Sequence, residues 1–231
     1  MVKIFNIKIH KFYIASLGYM IVSLVLGKYL QDGLIVFLAW NMFLATLVYL
    51  LSTILAYLIN KKAKLWMILV LLALWVLFFP NSLYMLTDFI HFQDSHYFIR
   101  YMDIYNYDLS EWWVFAHITI GALYAAKLGV ESIKKLEPFA KKHMTKYYNY
   151  ALTFLFLLSS FGIFVGRFLR FNSWNIFGLI TQIDVIISYG AFFIGFLGIF
   201  IVVHWVTYFL FSNEKSNIYN IENKNVMEDK K

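Results

Sequence analysis

The chain has 231 residues, of which 61% are hydrophobic, 21% aromatic and only 14% charged, with a mean hydropathy of +0.67. A water-soluble domain of this size would leave too much apolar surface facing water, and the lack of cysteine excludes disulfides, thiolate metal sites and cysteine nucleophiles. The net charge of +7 falls in short lysine runs between apolar segments; that pattern argues against a nucleic-acid partner and reads as membrane topology.

Six apolar spans are predicted, running approximately Phe12 to Gly27, Leu34 to Ile59, Leu65 to Thr87, Trp112 to Gly129, Tyr148 to Phe168 and Val185 to Phe211. Several approach or exceed the roughly 20 residues a helix needs to cross a bilayer. Weak alternation and few Gly or Pro punctuators argue against a transmembrane barrel. The expected fold class is therefore all-α: a polytopic integral membrane protein with about six transmembrane helices. The first span is short, with Lys11 and Lys28 at its ends, and reads as an uncleaved signal anchor because no small-x-small cleavage site follows.

Orientation comes from the connections. Lys3, Lys8 and Lys11 precede span one, Lys61, Lys62 and Lys64 follow span two, and Lys134, Lys135, Lys141, Lys142 and Lys146 follow span four. The intervening connections are poor in lysine, so both termini are expected to be cytoplasmic. Residues 1–212 then form one transmembrane domain. An acidic, aromatic extracytoplasmic loop covers 88–110, and a polar cytoplasmic tail at 213–231 is expected to be disordered.

With that topology, the unusual polar residues fall at one level. Asn41 in span two, Asn81, Asp88 and His91 at the end of span three, Glu111 and His117 at the start of span four, and Arg167 and Arg170 at the end of span five all lie near the outer face. The arginines carry the most information. The chain holds three, and two of them sit one turn apart in Gly166-Arg167-Phe168-Leu169-Arg170-Phe171-Asn172-Ser173-Trp174-Asn175. Lysine snorkels as well as arginine does, so a fixed, forked cation points to salt bridging to Asp88 or Glu111, or to bidentate binding of phosphate or carboxylate. Pro80 is expected to kink span three, with Asn81 available to satisfy a freed carbonyl. Asp88 and His91, a turn apart, are candidates for an acid/base pair or, more weakly, a metal pair lacking a defined third ligand.

Phe79-Pro80-Asn81-Ser82-Leu83-Tyr84-Met85-Leu86-Thr87-Asp88-Phe89-Ile90-His91 and the Gly166–Asn175 run resemble the two signatures of the bacterial domain-of-unknown-function 1361 membrane family, and Trp40-Asn41 resembles its Trp-Asn pair. The family ends the second motif in Trp-Asp, whereas here Asn175 follows Trp174. The resemblance supports these positions as a unit and implies no chemistry.

The leading functional reading is a multi-pass cell-membrane protein with an outward-facing polar pocket for an anionic or polyhydroxyl lipid or cell-envelope precursor. Its expected ligand-binding residues are Asn41, Asn81, Arg167, Arg170, Asn172, Trp174 and Asn175. A membrane-embedded transferase or hydrolase using Asp88 and His91 with an Arg167/Arg170 clamp is the alternative, though no serine-nucleophile, HExxH or Gly-rich phosphate motif is visible. A transporter, or a structural or assembly subunit, comes third. No cofactor is indicated.

Overall fold

A computed structural model describes residues 11–93, 100–101, 104–105, 109–170 and 183–212. These are almost wholly helical: α1 (Lys11–Leu30), α2 (Gly33–Asn60), α3 (Leu65–Phe78), α4 (Asn81–Tyr84), a 3-10 segment (Met85–Gln93), α5 (Leu109–Met144), a 3-10 turn (Thr145–Tyr147), α6 (Tyr148–Phe168), α7 (Ile183–Ser188) and α8 (Gly190–Ser212). A minimal antiparallel ladder pairs Arg100 with Tyr105 and Tyr101 with Ile104. Among the described residues, five helical stretches are long and apolar enough to cross a membrane, the fourth covering all of Leu109–Phe168.

In α1 and α8 the burial pattern is inverted relative to a water-soluble bundle, whereas the central α2 buries an apolar face that includes Ile35, Leu38, Met42 and Val48. In α1 the buried residues are Phe12, Ser16, Tyr19, Ser23 and Gly27, while Ile14, Leu17, Ile21, Leu24 and Val25 are exposed. In α8 the buried residues are His204 and Thr207, while Phe192, Ile194, Ile199, Val202 and Phe209 face outward. Lipid solvates an apolar face as well as a protein core does, so small and polar residues can take a large share of the contacts of these two helices. This is the burial expected of helices in a bilayer.

Local chemistry sets the helix ends. The Asp32 carboxylate accepts from Leu34 N at 2.8 Å and starts α2. Gln31, Lys62 and Arg170 turn the chain out of α1, α2 and α6 with φ of 54°, 52° and 56°, taking the left-handed position usually held by glycine. Pro80 has no N–H to continue the α3 ladder and stops it at Phe78. The Asn81 amide then donates to the Phe78 carbonyl at 2.8 Å, which is the satisfying role expected beside a proline. Beyond Tyr84 the backbone tightens into nine residues of 3-10 helix, longer than such runs usually persist.

Helix α2 lies at the centre, packed on α1, α3 and α5, and α8 closes the other side against α5 and α6. Contacts with residues 80–88 give the helix directions. Gly121 of α5 faces Met85 and Gly129 faces Ser82, so α5 runs antiparallel to this segment. Gly162 of α6 faces Pro80, Tyr84 bonds Gly166, and Asp88 meets Arg167, so α6 runs parallel to it. The stretch Leu109–Phe168 is thus a hairpin reversing at Thr145–Tyr147. Glycine is needed at both close approaches: a Cβ on Gly129 would lie 2.6 Å from Ser82 Cβ, and one on Gly162 would lie 2.5 Å from Pro80 Cγ.

Three sequence expectations change. Span four does not end at Gly129, because α5 continues to Met144. Its lysine-rich end is helix, carrying the i,i+3 and i,i+4 pairs Glu131–Lys134 and Glu137–Lys141. Asp88 does not open a loop, since the 3-10 segment carries the chain on to Gln93 with Asp88 fully buried. The last span is two helices, α7 and α8, joined at Tyr189 and Gly190, the latter at φ 51°. The tail at 213–231 lies outside the described residues.

Candidate functional site: a buried ion pair at one end of the bundle

Asn41 lies eight residues into α2 from Gly33, about 12 Å along the helix axis. Its side chain is buried, and its amide donates to Asp88 Oδ2 at 2.8 Å. The other carboxylate oxygen, Oδ1, accepts from Arg167 Nη2 at 2.5 Å. Asp88 is 0% exposed, and Arg167 retains 11% of its side-chain surface. A buried carboxylate is tolerated when its charge is paired and its oxygens are hydrogen-bonded; both hold here. Three elements meet at this point: α2, the 3-10 segment and α6.

Arg167 does more than neutralise Asp88. Its Nε and Nη2 both donate to Thr87 Oγ1, at 2.9 and 2.5 Å, and Nη1 bonds His91 Nε2 at 3.0 Å. The guanidinium carbon also sits 4.6 Å from the Tyr84 ring centre, a cation–π stack. With Asp88 included, four hydrogen bonds to described residues leave this one side chain, and among those residues a single Nη1 N–H finds no partner. A guanidinium can only donate, so His91 accepts on an unprotonated Nε2 and carries its proton on Nδ1. Thr87 Oγ1 accepts from Arg167 and donates its own hydroxyl hydrogen bond to Tyr84 O at 2.6 Å. The Tyr84 hydroxyl donates to Gly166 O at 3.3 Å, tying the segment to the last turn of α6.

The structure therefore brings together Asn41, Asp88, His91 and Arg167 from the sequence-predicted set. Asp88 and His91 do not bond each other; Arg167 stands between them, and its charge opposes a metal ion there. Among the described residues, no group of three or more His, Asp or Glu side chains is placed to hold a metal. Asn81 spends its amide on the α3 terminus. Arg170 does not share a helical face with Arg167, because α6 ends at Phe168 and Arg170 turns out of it, exposed. Asn172, Trp174 and Asn175 lie outside the described residues.

Sequence reasoning missed Thr87 and Tyr84. Both belong to the quoted motif, Tyr84 four residues before Asp88 and Thr87 four before His91, and that helical spacing was an available signal. It also missed His204, a lone ionisable residue in an otherwise apolar span. His204 Nδ1 donates to Phe200 O at 2.6 Å, so Nε2 accepts from Ser159 Oγ at 2.7 Å, joining α8 to α6. His117 joins α5 to α1: its Nε2 bonds Ser23 Oγ at 2.8 Å and its ring stacks on Tyr19 at 4.4 Å.

Long apolar helical stretches with many large apolar side chains turned outward, around a neutralised buried ion pair, make this a multi-pass membrane protein. The chain belongs to the family of proteins of unknown function DUF1361, whose model matches residues 40–203. The matched stretch begins at Trp40 and takes in every member of the Asn41–Asp88–Arg167 network, leaving out α1. No curated protein and no solved structure matches the chain.

Proposed function

We propose that the protein crosses the cell membrane six times with both termini in the cytoplasm, and that the Asp88 end of the bundle faces outward. There it binds an anionic or polyhydroxyl group of a lipid or cell-envelope compound. The observation that carries this reading is the convergence of Asn41, Asp88, His91 and Arg167, from three elements, at one level of the bundle. Ionisable groups inside a membrane bundle are costly and mark functional positions. The lysine-rich connections, at the opposite end, support the orientation. Asn172, Trp174 and Asn175 follow Arg170 directly in sequence and are assigned to the same site.

The transferase or hydrolase reading is less well supported. An acid/base pair needs access to its substrate, and both Asp88 oxygens are filled by neighbours at 0% exposure.

Native mass spectrometry of the protein, purified in a mild detergent, tests the binding reading. A non-covalent adduct that survives delipidation and carries phosphate, carboxylate or sugar is the expected result. Protein that is bare in every detergent, and takes up neither anionic nor glycosylated lipid when these are added back, overturns it.

A further inference from the structure

At the lysine-rich end of the bundle, where α1, α2 and α5 meet, we propose that Lys135 holds the headgroup of an anionic phospholipid. The Lys135 ammonium lies 4.6 Å from the centre of the Tyr49 ring, a cation–π contact. Tyr49 is 2% exposed and packs also on Phe12 and Tyr13, with ring centres 5.3 and 5.5 Å away. The Tyr13 hydroxyl reaches Thr53 Oγ1 at 3.5 Å, the limit of a hydrogen bond, and Thr53 donates to Tyr49 O at 2.8 Å. Three helices are thus gathered around one ring: α1 by Phe12 and Tyr13, α2 by Tyr49 and Thr53, α5 by Lys135. The cation at this junction lacks a counter-charge. Lys135 is half-buried, and among the described residues no Asp or Glu is salt-bridged to it. Glu131, one turn earlier, gives Oε1 to Lys134 at 2.9 Å, and Glu137 is paired with Lys141.

A cation drawn partly out of water without a carboxylate beside it favours an anionic ligand. Its level in the bundle points to lipid. The predominantly apolar run of α5, Trp112 to Val130, is roughly 28 Å long, close to the thickness of the hydrocarbon layer. Lys135 lies five residues beyond that run, about 7 Å along the helix and so at the level of the headgroups. On α1, Ile14 and Leu17 follow Tyr13 and are 62% and 55% exposed, an apolar face for acyl chains directly beside the cation. Lys11, exposed two residues before Tyr13, adds positive charge at the same level. Basic groups at the membrane surface attract anionic lipid, whereas a zwitterionic headgroup would bring its own ammonium up to Lys135. The site lies at the opposite end of the bundle from Asp88 and does not depend on what that network binds.

Native mass spectrometry counts the phosphatidylglycerol and phosphatidylcholine molecules held by wild type, Lys135→Gln, Lys135→Arg and the control Lys142→Gln, which removes an exposed cation seven residues further along α5. Melting temperature is measured with and without each lipid. Wild type, Lys135→Arg and Lys142→Gln are expected to hold phosphatidylglycerol in preference to phosphatidylcholine and to be stabilised by it. Lys135→Gln is expected to hold one phosphatidylglycerol fewer, its dissociation constant for that lipid raised at least about tenfold. Its phosphatidylcholine binding should be unchanged, and its lipid-free melting temperature no lower than that of wild type, because the charge removed is unpaired. Phosphatidylglycerol bound equally by Lys135→Gln and wild type, or lost equally from Lys142→Gln, would overturn the proposal and leave Lys135 as a packing residue on Tyr49. A lower lipid-free melting temperature for Lys135→Gln would overturn it too, since the ammonium would then be satisfied within the protein. Inorganic phosphate displacing the lipid at matched concentration would overturn the assignment to a phospholipid. An anionic or glycosylated adduct that persists in Lys135→Gln belongs to the Asp88 end, so failure here leaves the reading of that site standing.

Discussion

Asp88 is the residue whose environment decides most. Removing Arg167 leaves its charge buried with Asn41 as the remaining hydrogen-bond partner, and breaking a buried pair from one side costs on the order of 3–5 kcal/mol. Arg167→Gln and Asp88→Asn should therefore each lower thermal stability in detergent sharply. The double variant Asp88→Asn/Arg167→Gln should lose much less than the sum, because neither member then strands a charge. Additive losses in that cycle would mean that the two side chains act independently. Asn41→Ala removes one hydrogen bond to a charged acceptor and should cost less, about 1–3 kcal/mol.

At the scale of elements, the geometry of the site depends on the break at Pro80. An unbroken α3 would carry Thr87, Asp88 and His91 along one straight helix; the stop at Phe78, the single turn of α4 and the 3-10 segment re-aim them at α6. Gly162 permits this by letting the Pro80 ring lie against the α6 backbone. Gly162→Ala sets a methyl 2.5 Å from Pro80 Cγ, where neither the ring nor the helix yields easily. The expected outcome is a loss of roughly 1–3 kcal/mol and weaker anion retention, since the displacement propagates to Arg167 one turn on. Gly195→Ala in α8, where an added Cβ meets nothing within 4 Å, is the matched control. Equal behaviour of the two variants in a thermal-shift assay would separate the Pro80 contact from the site.

The elements were legible where apolarity alone defines them, as in α2 and α6, whose bounds the sequence places within a residue or so. The last part of α5 was not. Glu131, Lys134, Lys135 and Lys141 read as a charged connection, yet their i,i+3 and i,i+4 spacing also suits a helix, and Ser132 and Ile133 are buried against the bundle. The Trp75 indole donates to Ser132 Oγ at 3.2 Å, a packing fact that no hydropathy pattern contains. At the site, Asp88 was foreseeable as a salt-bridge partner for Arg167, with Glu111 an equal candidate. Choosing between them required the bend at Pro80, a tertiary property. The separation of Arg167 from Arg170 was illegible for a similar reason: three residues apart implies one helical face only if the helix continues, and α6 ends between them.

For the whole molecule, the account depends on which side of the membrane the Asn41–Asp88–Arg167 end occupies. The cysteine-free chain makes this directly measurable, because a single introduced thiol is unambiguous. Ser110 is exposed at the start of α5, towards the Asp88 end, while Lys64 and Lys142 are exposed at the opposite end. In intact cells, a membrane-impermeant maleimide is expected to label Ser110→Cys and to reach Lys64→Cys and Lys142→Cys only after permeabilisation. Labelling of Lys64→Cys and Lys142→Cys in intact cells, with Ser110→Cys protected, would put the buried ion pair on the cytoplasmic side and contradict an outward-facing site.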